Sequence, residues 1–136
     1  MPLLLDIVTP EKKVFSDQVD NVYLPGADGE LGVLPMHAGL VTALQPGELR
    51  YLHQGKVEKM AVGSGFAQIT QTHVVVLTDM ALGEAEIDIS QMESAIQRAK
   101  EELRGDEHSI DVEEIAFLQS TIAKSTAAIN FKRNRH

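Results

Sequence analysis

The chain changes its chemistry near residue 86, and that switch limits the folds open to it. Up to that point Gly and Pro recur, and apolar residues alternate or run in short blocks. Beyond it there is no Pro and a single Gly, and Ala, Glu, Gln and Lys dominate. Strand-forming chemistry gives way to helix-forming chemistry. We therefore divide the chain into 1–86 and 87–136. No helical period interrupts the first part, which argues against a parallel sheet with crossover helices.

Turn signals cut the first part into short strands. Leu3–Val8 ends at Thr9-Pro10. A long stretch, 13–24, is expected to break near Ser16-Asp17 and ends at Pro25-Gly26. Val33-Leu34 is a short piece, and Leu40–Leu44 ends at Gln45-Pro46-Gly47. Residues 49–52 and 56–62 flank His53-Gln54-Gly55, a hairpin signal with Gly at the tight position. Residues 66–70 and 73–78 flank Gln71-Thr72, a second hairpin. Strands this short, at spacings of ~8–12 residues, predict a sandwich or barrel.

The second part predicts two helices. Asp88 caps the first, with Gln91 three residues on, and Gly105 stops it after Arg104. Ile89, Met92, Ile96, Ala99 and Leu103 keep a 3-4-3-4 spacing. Asp111 with Glu114 repeats the cap for the second helix. Its expected stripe is Val112, Ile115, Leu118 or Gln119, Ile122, Thr126 and Ile129. Two amphipathic helices joined by ~6 residues make an antiparallel hairpin. One narrow stripe per helix leaves such a hairpin marginal by itself. It is either an ordinary appendage docked on the strands or an element able to detach and bind elsewhere.

Charge and composition exclude several classes. The net charge is −8, and the 12 Lys and Arg form no long run, so no basic face for nucleic acid is expected. Residues 1–86 carry 11 acids against 5 bases, and 87–136 carry 9 against 7. Cysteine is absent, which removes disulfides, thiolate metal sites and thiol nucleophiles. The apolar runs are far shorter than the ~20 residues a bilayer span needs, so no direct membrane insertion is expected. The first residues lack a basic segment and reach Asp6 at once, so no signal peptide is expected.

Catalytic constellations are not found. His37, His53, His73, His108 and His136 make no metal-ligand spacing with one another or with carboxylates. Ser64, in Gly63-Ser64-Gly65, lacks the setting of a nucleophile elbow. The Gly pair precedes a strand, so it reads as a bulge or a tight approach between strands. No catalytic residue, metal or cofactor is assigned.

The dense signal is the run 24–40, with four Gly, two Pro and two acids. It reads as a compact loop carrying a short strand. On spacing alone a structural corner is favoured over a functional loop. The motif Pro25-Gly26-x-x-Gly29-Glu30-Leu31-Gly32-Val33-Leu34-Pro35-x-His37-Ala38 resembles the signature of the epsilon subunit of F-type ATP synthases. Asp6-Ile7-Val8-Thr9-Pro10-Glu11-Lys12, Leu40-Val41-Thr42-Ala43-Leu44-x-Pro46-Gly47, Gly63-x-Gly65-Phe66 and Val74-Val75-Val76-Leu77-Thr78-Asp79 are similar to the family pattern in the same order. The family usually has Pro where this chain has Gly39.

The resemblance implies a ten-stranded β-sandwich followed by an antiparallel two-helix hairpin. It implies a non-catalytic central-stalk subunit that binds the gamma subunit and the c-subunit ring. It also implies coupling of rotation to ATP synthesis. The hairpin, when extended along gamma toward the alpha/beta catalytic head, would inhibit ATP hydrolysis. Gly26, Gly29, Glu30, Leu31, Gly32, Pro35 and His37 are the expected partner contacts. Asp88, Met92, Ile96, Arg98, Leu103, Ile115, Leu118 and Ile122 are the expected regulatory positions. The tail Lys132-Arg133-Asn134-Arg135 either meets acidic surfaces of the head or is a solvated end. Some members bind ATP through an Ile/Leu-Asp-x-x-Arg-Ala motif. Here Ile87-Asp88-Ile89-Ser90 runs into Gln91-Met92, so the Arg is missing. Arg98 is one possible substitute, and the second helix has no Arg before residue 133. ATP binding is therefore expected to be weak or absent. Bacterial and plastid members look alike, and because no transit segment is read at the start, the cytoplasmic face of a bacterial plasma membrane is expected over the stromal side of a thylakoid. The alternative is a free-standing β-sandwich adaptor with a helical tail.

Overall fold

The computed structural model describes residues 3–104 and 111–134. Ten strands come first: β1 (Leu3–Val8), β2 (Lys13–Val19), β3 (Asn21–Gly26), β4 (Gly29–Val33) and β5 (Leu40–Leu44), then β6 (Gly47–His53), β7 (Lys56–Val62), β8 (Gly65–Ile69), β9 (His73–Thr78) and β10 (Ala81–Leu82). A short 3-10 turn, Glu84–Glu86, leads to helices α1 (Ile89–Arg104) and α2 (Val112–Arg133).

The strands form one continuous sheet in the order β10-β7-β6-β3-β5-β8-β9-β1-β2, with β4 on the other edge of β3. It folds into two layers. β10, β7, β6, β3 and β4 make the first, and β5, β8, β9, β1 and β2 the second. The layers join through a single register pair, Gly26 with Leu44. At the opposite side β2 comes back over β6. There Phe15 meets Tyr51 with ring centroids 4.6 Å apart, and His53 Nε2 lies 3.0 Å from Asp17. All strand pairs are antiparallel except β1 with β9.

Alternation of apolar residues fills the space between the layers. Leu3, Leu5 and Ile7 of β1 meet Val22, Leu24, Leu49, Ile69, Val74 and Val76 in one core that contains no helix residue. The β6–β7 hairpin turns on Gln54 and Gly55, both at positive φ, as a two-residue I′ loop requires. Gly65 has φ +158, and a Cβ there would collide with the Leu77 carbonyl oxygen. The Gly63–Gly65 segment is thus the tight approach between strands that its glycines predict.

Three expectations are corrected. The long second stretch breaks at Asp20 rather than near Ser16-Asp17, because the chain crosses there from the second layer to the first. Asp20 N–H leaves β2 to donate to the Leu52 carbonyl. The short strand expected at Val33-Leu34 is Gly29–Val33, formed as a hairpin with β3. In α2, Val112 is 81% exposed and Thr126 is exposed as well. The buried residues are Leu118, Ser125, Ala128, Ile129 and Phe131. They make two faces because α2 lies between α1 and the β6–β7 surface.

The helix starts behave as expected. Asp88 Oδ1 accepts from the Gln91 N–H at 3.1 Å, and Asp111 Oδ1 accepts from Glu114 N–H at 2.8 Å. Gly105, His108, Arg135 and His136 lie outside the described residues.

Candidate functional site

Two regions gather the singled-out residues. The first is the β3–β4 hairpin and the segment after it. Gly26 and Gly29 close a turn on Ala27-Asp28, with Gly29 at φ +123. A Cβ on Gly26 would stand 2.8 Å from the Gly29 carbonyl oxygen, so this glycine is demanded by the turn. Leu31 packs against the core. Pro35 and His37 are partly buried. His37 Nδ1 lies 2.7 Å from the Ala38 carbonyl oxygen, a bond within its own loop. Met36, at φ +70, donates its N–H to Gln71 and so ties this loop to the β8–β9 turn.

Glu30 is exposed but not alone. Arg50 of β6 donates from Nη1 to Oε2 at 2.6 Å and from Nη2 to Oε1 at 3.5 Å. The Arg50 guanidinium also lies over the Tyr23 ring, 4.4 Å from its centroid. That ring in turn covers Gly32, where a Cβ would come within 2.7 Å of Tyr23 Cε2. Gly32 therefore serves as the floor for Tyr23. The sequence reading missed Arg50 and Tyr23, since nothing local ties residues 20 apart.

The outer face of the second layer carries apolar residues that no other described residue covers. Register puts Ala43, Phe66, Leu77 and Val8 side by side across β5, β8, β9 and β1. Phe66 is 59% exposed, Leu77 52% and the neighbouring Val41 65%. A shallow hollow lined by Val8, Pro10, Gly65 and Leu77 continues the strip. Strand alternation should have filled this face with polar residues, so its apolar content marks a contact surface.

The second region is the helical pair. Met92 joins a cluster of Ala61, Ile87, Ala128 and Phe131 that glues α2 to β7. Ile96, Leu103, Ile115 and Ile122 are half-buried and Leu118 is buried, while Asp88 and Arg98 are exposed. Polar tethers supplement the cluster. Asp79 faces Ser120 Oγ at 3.4 Å and Lys124 Nζ at 3.8 Å. Lys132 donates to the Ile87 carbonyl, and Arg133 pairs with Glu93 of α1 at 3.1 Å. Two of the basic tail residues thus bind within the chain. Among the described residues, no helix is long and apolar enough to cross a membrane.

The beta-sandwich domain of the ATP synthase Delta/Epsilon chain matches residues 2–84. An ATP synthase epsilon chain from Desulforamulus reducens is 51% identical over 108 residues, covering 79% of this chain and 82% of that one. The chain belongs to the ATP synthase epsilon family. An epsilon chain from Herpetosiphon aurantiacus is 37% identical over 137 residues and covers 99% of both chains. The family likeness therefore extends through the helical pair. In fold the chain is similar to a chain in the cryo-EM structure of the Euglena gracilis mitochondrial ATP synthase, OSCP/F1/c-ring in rotational state 1. The TM-score is 0.73 at 20% identity, covering 99% of this chain and 82% of that one. A chain in the Tetrahymena thermophila mitochondrial ATP synthase central stalk/c-ring structure has TM-score 0.58 at 14% identity. That match covers 95% of this chain and 97% of the other.

Proposed function

We propose that this chain is a non-catalytic subunit of the central stalk of an F-type ATP synthase. It binds the gamma subunit and the c-subunit ring, turns with them, and couples proton-driven rotation to ATP synthesis. The observation that carries this reading is the end-to-end likeness to an ATP synthase epsilon chain. The strip of exposed Val41, Phe66 and Leu77 with half-buried Val8 supports a protein partner, and gamma is the partner we assign to it. The β3–β4 turn with Glu30 and the loop with His37 take the c-ring contact. Such contacts hold the chain at the membrane surface through the ring, on the cytoplasmic face of a bacterial plasma membrane.

The helical pair supplies regulation. It is held to the strand domain by one small apolar cluster and by the contacts of Asp79 with Ser120 and Lys124 and of Lys132 with Ile87. A two-state element needs a small free-energy gap, and this attachment suits one. Extended toward the alpha/beta head, the pair would inhibit ATP hydrolysis. ATP does not bind the docked pair, because Gln91 stands where the motif has Arg and no second-helix Arg precedes Arg133.

Reconstitution tests the reading. The full chain should co-purify with gamma and the ring, and a chain that never associates with gamma would sink it. Deletion of residues 88–136 should raise ATP hydrolysis by the assembled complex while assembly persists. Unchanged hydrolysis would remove the inhibitory role alone. A clear calorimetric signal at micromolar ATP would overturn the absence of nucleotide binding.

A further inference from the structure

Glu30 sits on β4, which pairs with β3 alone, at the second residue after the turn. An exposed carboxylate on an edge strand has rotamer freedom that any partner must remove on binding. Here that freedom is already restrained from two strands away. Tyr23 stands in register with both Gly32 and Arg50, so its ring lies between β4 and β6. The missing side chain at Gly32 lets the ring lie down, and the ring supports the guanidinium. Arg50 then reaches across to grip Glu30 with both Nη atoms. A planar guanidinium does both jobs, where an ammonium would do neither well.

The grip is uneven. Oε2 is tied at 2.6 Å, whereas Oε1 is 3.5 Å from Nη2 and keeps room for another donor. We propose that Arg50 is a positioning residue, which with Tyr23 and Gly32 aims Glu30 Oε1 at a hydrogen-bond donor on the polar loops of the c-subunit ring. This rests on the ring contact assigned to Glu30 above. Glu48 Oε2 also lies 4.0 Å from Arg50 Nη1, so the ring meets two carboxylates around one guanidinium.

The test is the affinity of the full-length chain for membrane vesicles that carry the rest of the complex but lack this subunit. Arg50→Gln should weaken binding about tenfold, as loss of an interface anchor does. Arg50→Lys should recover little of it, since charge alone does not restore the fork or the stack. Tyr23→Leu should weaken binding in the same direction with Arg50 intact. The double variant Glu30→Gln/Arg50→Gln should bind within about twofold of either single variant, because residues acting as one unit are non-additive. The thermal midpoints of the free variants should stay within about 4 °C of the natural chain, which excludes simple misfolding.

Two failures are distinguishable. If Glu30→Gln binds like the natural chain, the ring contact assigned to Glu30 is wrong and the positioning role falls with it. If Glu30→Gln is weak but Arg50→Gln and Tyr23→Leu bind normally, or the Glu30 and Arg50 losses add, only the positioning role is overturned.

Discussion

Lys132 Nζ donates to the Ile87 carbonyl at 2.5 Å, tying the last turn of α2 to the residue that precedes the cap of α1. The two residues are 45 apart in sequence, and their bond closes the helical pair into a loop against β7.

Breaking that bond should loosen the pair without touching the strands. Lys132→Met keeps most of the apolar stem and leaves the carbonyl without this donor. A charge-assisted bond of this kind is worth about 1.5–3 kcal/mol, less at a partly exposed site. Amide exchange in α2 should quicken several-fold, while β1 and β9 amides keep their protection. Equal quickening in both regions would refute the separation.

Phe131→Ala removes the largest side chain of the small cluster that joins α2 to β7. Such truncations cost about 3–5 kcal/mol. The cost should fall on helix docking alone, because the main core holds no helix residue. Hydrogen exchange should show the helices opening separately, as a local unit does. A single cooperative loss across strands and helices would contradict this.

Gly65→Ala attacks the strands directly. The added Cβ would collide with the Leu77 carbonyl, which is backbone and cannot step aside. The φ of +158 adds strain for any L side chain. Urea unfolding should show a loss of about 3 kcal/mol or more, or no folded chain at all. Near-natural stability would mean that β8 can shift away from β9.

Acid should loosen the second layer through Asp6. The Ser16 hydroxyl foremost, then the His73 ring 2.8 Å away, holds its carboxyl below the usual value of 3.8. A depressed folded value contributes stability above the unfolded pKa, and that contribution is lost as pH falls through the folded one. Asp6→Asn should therefore lower the urea midpoint at neutral pH, and the gap should close below pH 3.8. A gap of constant size down the acid limb would rule out the linkage.

Much of the architecture was legible because it is written locally. The caps at Asp88 and Asp111, the turn at Gln54-Gly55 and the alternation in β1 each need only a few neighbours. Pairing between distant strands needs more. The break at Asp20 was missed because nothing in residues 13–24 says that the two halves belong to different layers. The face of α2 was misread by one step, Thr126 for Ser125, because one stripe was expected on a helix that is buried on two sides. The signature residues were visible as a group, yet their roles were not. Gly26 and Gly32 answer to steric demands from Gly29 and Tyr23, and Glu30 answers to Arg50. Such relations appear only when β3, β4 and β6 lie side by side.

The single pair of Gly26 and Leu44 joins two layers whose far sides meet through rings and a histidine–carboxylate contact. The strand domain is therefore built like a book, with a spine of backbone hydrogen bonds and a fore-edge closed by side chains. The fore-edge closes on Phe15, Tyr51, His53 and Asp17, and the spine runs past the signature turn. The signature turn beside Glu30 stands at that spine, where Ala27 N–H donates to the Ala43 carbonyl and Gln45 N–H to the Pro25 carbonyl.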